Sequence, residues 1–120
     1  MFVSLNAFGQ QITIPYSYIS VGTLNQAMLT TLGNQAAAAI QSAPAGRDYT
    51  VGVAGVLNGI EHGTPIDYSY ESVGITRSYA FRLPAGGSTG WDVPETQISA
   101  ICSETFRGFL VLARNVGINA

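Results

Sequence analysis

Two apolar stretches of helical period, separated by short β-type runs, constrain this chain more than anything else in it. Leu24, Met28, Leu32, Ala36 and Ile40 recur at a helical spacing and line one face. Thr23-Leu24-Asn25-Gln26 ahead of them fits a capping box, in which Thr takes an orphan backbone N–H and Gln reaches back. Gly33 weakens this helix by about 1 kcal/mol, and the alanines Ala36 to Ala39 offset that. Pro44 and Gly46 end it. The second stretch starts at Pro94, a residue favoured at helix starts, with Glu95 complementing the first-turn dipole. Ile98, Ile101, Phe109, Leu112 and Val116 form its stripe, Arg107 and Arg114 lie toward its C-terminal end, and Gly117 suits the cap.

The runs between are β-rich. Phe2 to Leu5 predicts a strand that ends near Asn6. Gln11-Ile12-Thr13-Ile14 alternates polar and apolar, but Pro15 interrupts it, and the reading is an extended loop carrying Tyr16 and Tyr18. Tyr49 to Val53 predicts a short strand, and Ala54 to Pro65, with Gly55, Gly59 and Gly63, a loop. Asp67 to Glu71 predicts a short helix with Asp67 as its cap. Ile75 to Leu83 is a further strand, and Pro84 to Gly90 a glycine-rich loop. The order β-α-β-short α-β-α argues an α/β fold, with residues 1–120 as one small domain.

Charge and composition exclude several functions. Only 10% of the 120 residues are charged, against 47% hydrophobic, and the net charge is −2. Ordinary soluble domains carry about 25% charge, so much of this surface is expected to be covered by a neighbour. All five bases are Arg, and no basic stripe exists for nucleic acid or for a membrane surface. An apolar, nearly neutral chain is not disordered. The single Cys102 excludes an internal disulfide, and the single His62 excludes a multi-His metal site within the chain. No apolar run of about 18 residues occurs, so no membrane-spanning segment is expected. The start, Met1-Phe2-Val3-Ser4, does not read as a signal peptide.

Several collinear motifs carry a resemblance. Ser4-Leu5-Asn6-Ala7-Phe8-Gly9-Gln10 is followed by Pro15-Tyr16-Ser17-Tyr18, then Tyr49-Thr50-Val51-Gly52 and Ile66-Asp67-Tyr68-Ser69-Tyr70. Gly74 to Phe81, Gly90 to Ile98 and Glu104-Thr105-Phe106 complete the series. Together they resemble the C-terminal half of zinc metallocarboxypeptidases of the carboxypeptidase A/B type. That resemblance implies a mixed sheet with helices packed on it, of which this chain supplies half. It also implies a zinc held by a His-x-x-Glu pair and a third His, with a glutamate as general base. The third-ligand position falls on Asn6, the general-base position on Arg82, and the mobile-tyrosine position near Gly59 or Ile60. An amide is a poor zinc ligand and a guanidinium cannot accept a proton near neutral pH. The expectation is therefore a chain that is not an enzyme, with no catalytic, cofactor-binding or metal-binding residues and no cofactor.

Individual residues bear other readings. Glu61 and His62 are adjacent in a loop and are expected to be solvated, not paired on one target. Cys102 beside Ile101 is expected to be a buried small hydrophobe. Arg82 stands in an otherwise apolar strand pattern and needs a partner, with Glu61, Glu71 and Glu104 as candidates, or else an anion or an ion pair across an interface. Gly86-Gly87-Ser88-Thr89-Gly90 lacks the Lys and context of a phosphate loop and reads as a hairpin or surface loop. Tyr16, Tyr18, Tyr68, Tyr70 and Trp91 are expected mainly to pack, with an aromatic binding surface as the alternative.

The functional expectation is a structural or interaction protein that works by oligomeric assembly, as a homo-oligomer or on a second protein chain. Half of a doubly covered sheet leaves an unpaired edge and apolar area. The alternatives are a subunit of a split zinc carboxypeptidase and a binding or inhibitory module. The resemblance implies an extracellular, secreted setting.

Overall fold

A computed structural model describes residues 1–118. Four strands form one mixed sheet: β1 (Phe2–Ala7), β2 (Gln11–Ile14), β3 (Thr50–Val53) and β4 (Ser78–Leu83). Their order across the sheet is β1-β4-β2-β3. β1 runs parallel to β4, β4 antiparallel to β2, and β2 parallel to β3. Four helices accompany them: α1 (Gln26–Gln41), α2 (Ala54–Leu57), α3 (Pro65–Asp67) and α4 (Ile98–Ile118). A π-helical turn, Tyr68–Ser72, continues α3, and a tight 3-10 turn, Glu95–Gln97, leads into α4. The chain is α/β, as the alternation of periods predicts.

The pleat sorts side chains between two layers. Register partners Ile12 and Phe81, with Ile14 and Tyr79, are fully buried on the face that α1 and α4 cover. Leu29, Leu32, Ala36 and Ile40 descend from α1 onto that face, and Leu112 from α4. Gly108 lets the two helices close up, since a Cβ there would lie 2.8 Å from Ile40 Cδ1 and 3.3 Å from the Ala36 carbonyl. The buried Tyr79 hydroxyl donates to the Leu29 carbonyl at 3.0 Å, tying β4 to the first turns of α1. The opposite face carries Ser4, Asn6, Thr13, Ala80 and Arg82, and the loops, α2 and α3 fold over it.

Several expectations are corrected. Gln11–Ile14 is not a loop but an interior strand, hydrogen-bonded on both sides. Four residues give too short an alternation to assert itself before Pro15, and the strand is secured by its neighbours. The capping box does not form: α1 begins at Gln26, and Thr23 Oγ1 accepts from the Asn25 N–H at 3.1 Å in a turn before the helix. Leu24, drawn into the stripe by spacing, is therefore outside the helix and fully exposed. Asp67 ends α3 instead of capping a helix. Part of the expected Ala54–Pro65 loop is helical, as α2. Cys102 is exposed, one helical step of rotation away from buried Ile101. Helix α4 continues through Gly117 instead of stopping before it.

Candidate functional site

On the polar face of the sheet the loops leave a cavity of about 340 Å³. Its floor follows from strand alternation. Ser4 and Asn6 on β1 lie beside Ala80 and Arg82 on β4 at matching register positions. Thr13 of β2 lies beside Ala80 on the other side. The walls come from Ser17, Ala54, Asn58, Glu61, Thr64, Ile66 and Trp91.

Arg82 is the cation of this cavity. Its Nη2 donates to Glu61 Oε1 at 3.2 Å, so of the three glutamates named from the sequence, Glu61 is the partner. Arg82 keeps 35% of its side-chain area exposed and Glu61 keeps 55%. An ion pair this open to water contributes about 0–1 kcal/mol. The neighbour Asn6 spends its amide N–H on Ser4 Oγ at 2.9 Å. Asn58 likewise donates to Gln11 Oε1 at 2.9 Å.

The walls are held by Asp67, whose role no local motif signals. Its buried carboxylate accepts the Ser17 N–H at 2.8 Å and the Tyr18 N–H at 3.0 Å. These are charge-assisted bonds to a strand exit some fifty residues earlier in the chain. The Glu61 N–H then donates to the Ser17 carbonyl at 2.9 Å, so the loop bearing Glu61 hangs from the segment that Asp67 fixes. Thr64 Oγ1 donates to Ser17 Oγ at 3.1 Å.

The aromatics divide. Tyr16 packs on Tyr18 and Tyr70 with ring centroids 5.0 and 5.7 Å apart. A hydrogen bond to Glu71 holds the Tyr16 hydroxyl above its usual acidity range. Trp91 reaches the cavity mouth and meets Phe8 edge-on at 4.9 Å, while Tyr68 stays exposed. His62 is exposed beside Glu61 and does not line the cavity. The 86–90 stretch closes a tight turn, with the Gly86 N–H on the Gly90 carbonyl at 3.0 Å.

On the helical side, β1 and α4 leave a second depression. This groove of about 230 Å³ is lined by Val3, Leu5, Phe81, Leu83, Ile101, Cys102, Thr105, Phe106 and Phe109, and is almost wholly apolar. Leu5 and Phe106 are 59% and 57% exposed. The Glu104 carboxylate beside it is buried and pairs with Arg47.

The profile of the zinc carboxypeptidase family matches residues 1–108. The chain belongs to the zinc carboxypeptidase family. Carboxypeptidase O from Bos taurus is 34% identical over 115 residues, which cover 96% of this chain and 30% of that protein. Carboxypeptidase B from Helicoverpa zea is 34% identical, covering 98% of this chain and 28% of that protein. Among solved structures, bovine thrombin-activatable fibrinolysis inhibitor in complex with tick carboxypeptidase inhibitor superposes with TM-score 0.91 at 27% identity. It covers 98% of this chain and 40% of that one. Carboxypeptidase A from Helicoverpa armigera superposes with TM-score 0.80 at 27% identity, covering 93% of this chain and 28% of that one. The chain thus spans less than a third of the length of these curated relatives.

Membership overturns one expectation. The residues at Asn6, Arg82 and near Gly59 or Ile60 suggest a chain that is not an enzyme, yet its family is one of zinc carboxypeptidases. Asn6 and Arg82 are two positions on a shared register, and different residues there do not remove a chain from an enzyme family. Zinc is the metal the family implies, and the residues here do not fit it by themselves. The described residues bring together no group of three His, Cys, Asp or Glu side chains. The cavity's one carboxylate, Glu61, is engaged by Arg82, and Asn6 offers only an amide. No described helix is long and apolar enough to cross a membrane.

Proposed function

We propose that this carboxypeptidase-like chain acts by assembly, docking a complementary section of a carboxypeptidase-type sheet along β1. The observation that carries this reading is the exposure of Leu5 at the sheet edge, continuous with the apolar groove against α4. Among the described residues β1 pairs with β4 on one side only, so its other side is an edge of the kind that offers unpaired N–H and C=O groups. Apolar area at about 25 cal/mol per Å² favours covering the groove, and a specific interface buries about 1,600 Å². The occupant we infer is a section of carboxypeptidase-type sheet, a reading supported by a relative that matches 96% of this chain over only 30% of its own length. Residues 1–120 are read as one unit of that assembly, in an extracellular setting.

The test is sedimentation velocity of the full chain, alone and mixed with the amino-terminal section of Helicoverpa zea carboxypeptidase B. A one-to-one complex is expected, lost in a Leu5→Arg variant whose circular dichroism is unchanged. Self-association alone would give the edge to a second copy and overturn this occupant. A monomer that binds nothing at micromolar concentration would overturn the assembly reading altogether. Stoichiometric zinc in the complex would further define it as a split metallopeptidase.

A further inference from the structure

We propose that the Arg82 cavity is a binding site for a small organic carboxylate, which displaces Glu61 from the guanidinium. Four observations carry it, none of which depends on the assembly along β1. First, the residues at the floor do not suit a metal cation, and their one full charge is the positive charge of Arg82. A site whose fixed charge is a guanidinium selects an anion. Second, the guanidinium already takes a carboxylate: one oxygen of Glu61, Oε1, meets Nη2 at 3.2 Å. A monocarboxylate replaces it charge for charge, whereas a phosphate dianion would bring excess charge.

Third, the pair is built to exchange. Both partners are open to water, and Glu61 sits on a loop held by its own backbone N–H on the Ser17 carbonyl at 2.9 Å. Its side chain can swing out while the wall stays in place. Fourth, the remaining walls give the ligand's carbon skeleton a place. Ala54, Ile66, Ala80 and Trp91 supply apolar surface around a cavity of about 340 Å³, at the small end of ligand pockets. Ser4 Oγ lies on the same floor. It already accepts from Asn6 Nδ2, which leaves its own proton free to donate to a second oxygen.

The test titrates the full chain with butyrate, butyramide and inorganic phosphate. Trp91, the only tryptophan, reports by fluorescence, and the Arg82 Nε–H reports by NMR. Butyrate is expected to give a saturable change in both signals. Butyramide at the same concentrations is expected to give none, and phosphate to bind at least threefold more weakly than butyrate. Arg82→Gln is expected to weaken butyrate at least tenfold. Glu61→Gln is expected to tighten it about threefold or more, because the internal competitor is gone. These opposite signs separate a binding role from a structural one, which both substitutions would damage alike. An unchanged or weakened affinity in Glu61→Gln overturns the proposal, even if Arg82→Gln fails to fold. Equal responses to butyrate and butyramide, or tighter phosphate, also overturn it.

Discussion

Asn6 and Arg82 are register partners across the parallel β1–β4 pair, so an amide and a guanidinium share one floor of the cavity. Their neighbours Leu5 and Phe81, also partners, point to the opposite face and line the apolar groove. Two surfaces of opposite chemistry therefore rest on one strand pair.

Asp67 controls the shape of the cavity from behind its wall. Replacing it with Ala removes two charge-assisted acceptors from the Ser17 and Tyr18 N–H groups. Each such bond contributes about 1.5–3 kcal/mol, so Asp67→Ala is expected to lower stability by about 3 kcal/mol or more in urea unfolding. Asp67→Asn retains one acceptor and is expected to lose less.

The Arg47–Glu104 pair is buried on its acidic side, where Glu104 keeps 2% of its side-chain exposure. Removing the cation strands that carboxylate. Arg47→Met is expected to cost about 3–5 kcal/mol, whereas the double change Arg47→Met with Glu104→Leu recovers most of it. Chemical unfolding of both variants checks the sign of the coupling.

Gly55 has no room for a methyl group. An added Cβ would sit 2.2 Å from the Ile19 carbonyl oxygen and 3.0 Å from that of Tyr16. Backbone cannot move aside as a side-chain tip can. Gly55→Ala is expected to destabilise by about 1–3 kcal/mol, while Gly33→Ala, which meets the Val51 side chain at 2.8 Å, is expected to cost less. Thermal midpoints of the two variants give the comparison.

Burial pushes Tyr49 up to about 12 from the ordinary 10.0, with the Glu104 charge adding to it. Burial raises Tyr79 as well. The unfolded chain releases these phenolic protons first, so the stability they lend is complete below pH 10.0 and is lost as pH climbs toward about 12. Each such group contributes a fall of up to about 1.4 kcal/mol per pH unit in that window. Urea midpoints measured at rising pH are expected to drop, and Tyr49→Phe is expected to flatten the slope.

Cys102 gives a direct reading of the groove. The thiol is exposed and lines it. It is expected to react with a thiol-specific dye in the free chain and to be protected at least tenfold once a complementary section docks. Unchanged reactivity in a complex seen by sedimentation would place the interface elsewhere.

What could be read from the residues had local causes. The stripes of α1 and α4 and the strands β1, β3 and β4 follow from periodicity that each segment carries itself. The polar alternation Ser4–Asn6 and Ala80–Arg82 was present too, and it is the signal for the cavity floor. What stayed hidden depended on chain path. β2 is too short to declare itself until β4 and β3 flank it. Three glutamates were open to Arg82, and only the course of the Glu61 loop selects one. Asp67 looked like a local cap, but its partners Ser17 and Tyr18 are brought to it by the fold. The family was legible in collinear motifs, whereas the inference from Asn6, Arg82 and the Gly59–Ile60 region to a non-enzyme went beyond what those positions carry.

The sharing of β1 between two faces limits how its sequence can drift. Sliding the strand by a single position would turn Val3 and Leu5 into the wet cleft and press Ser4 and Asn6 against the α4 layer. An insertion or deletion within Phe2–Ala7 would therefore spoil the groove and the cleft at one stroke, while substitutions that respect odd and even places can alter either without touching the other.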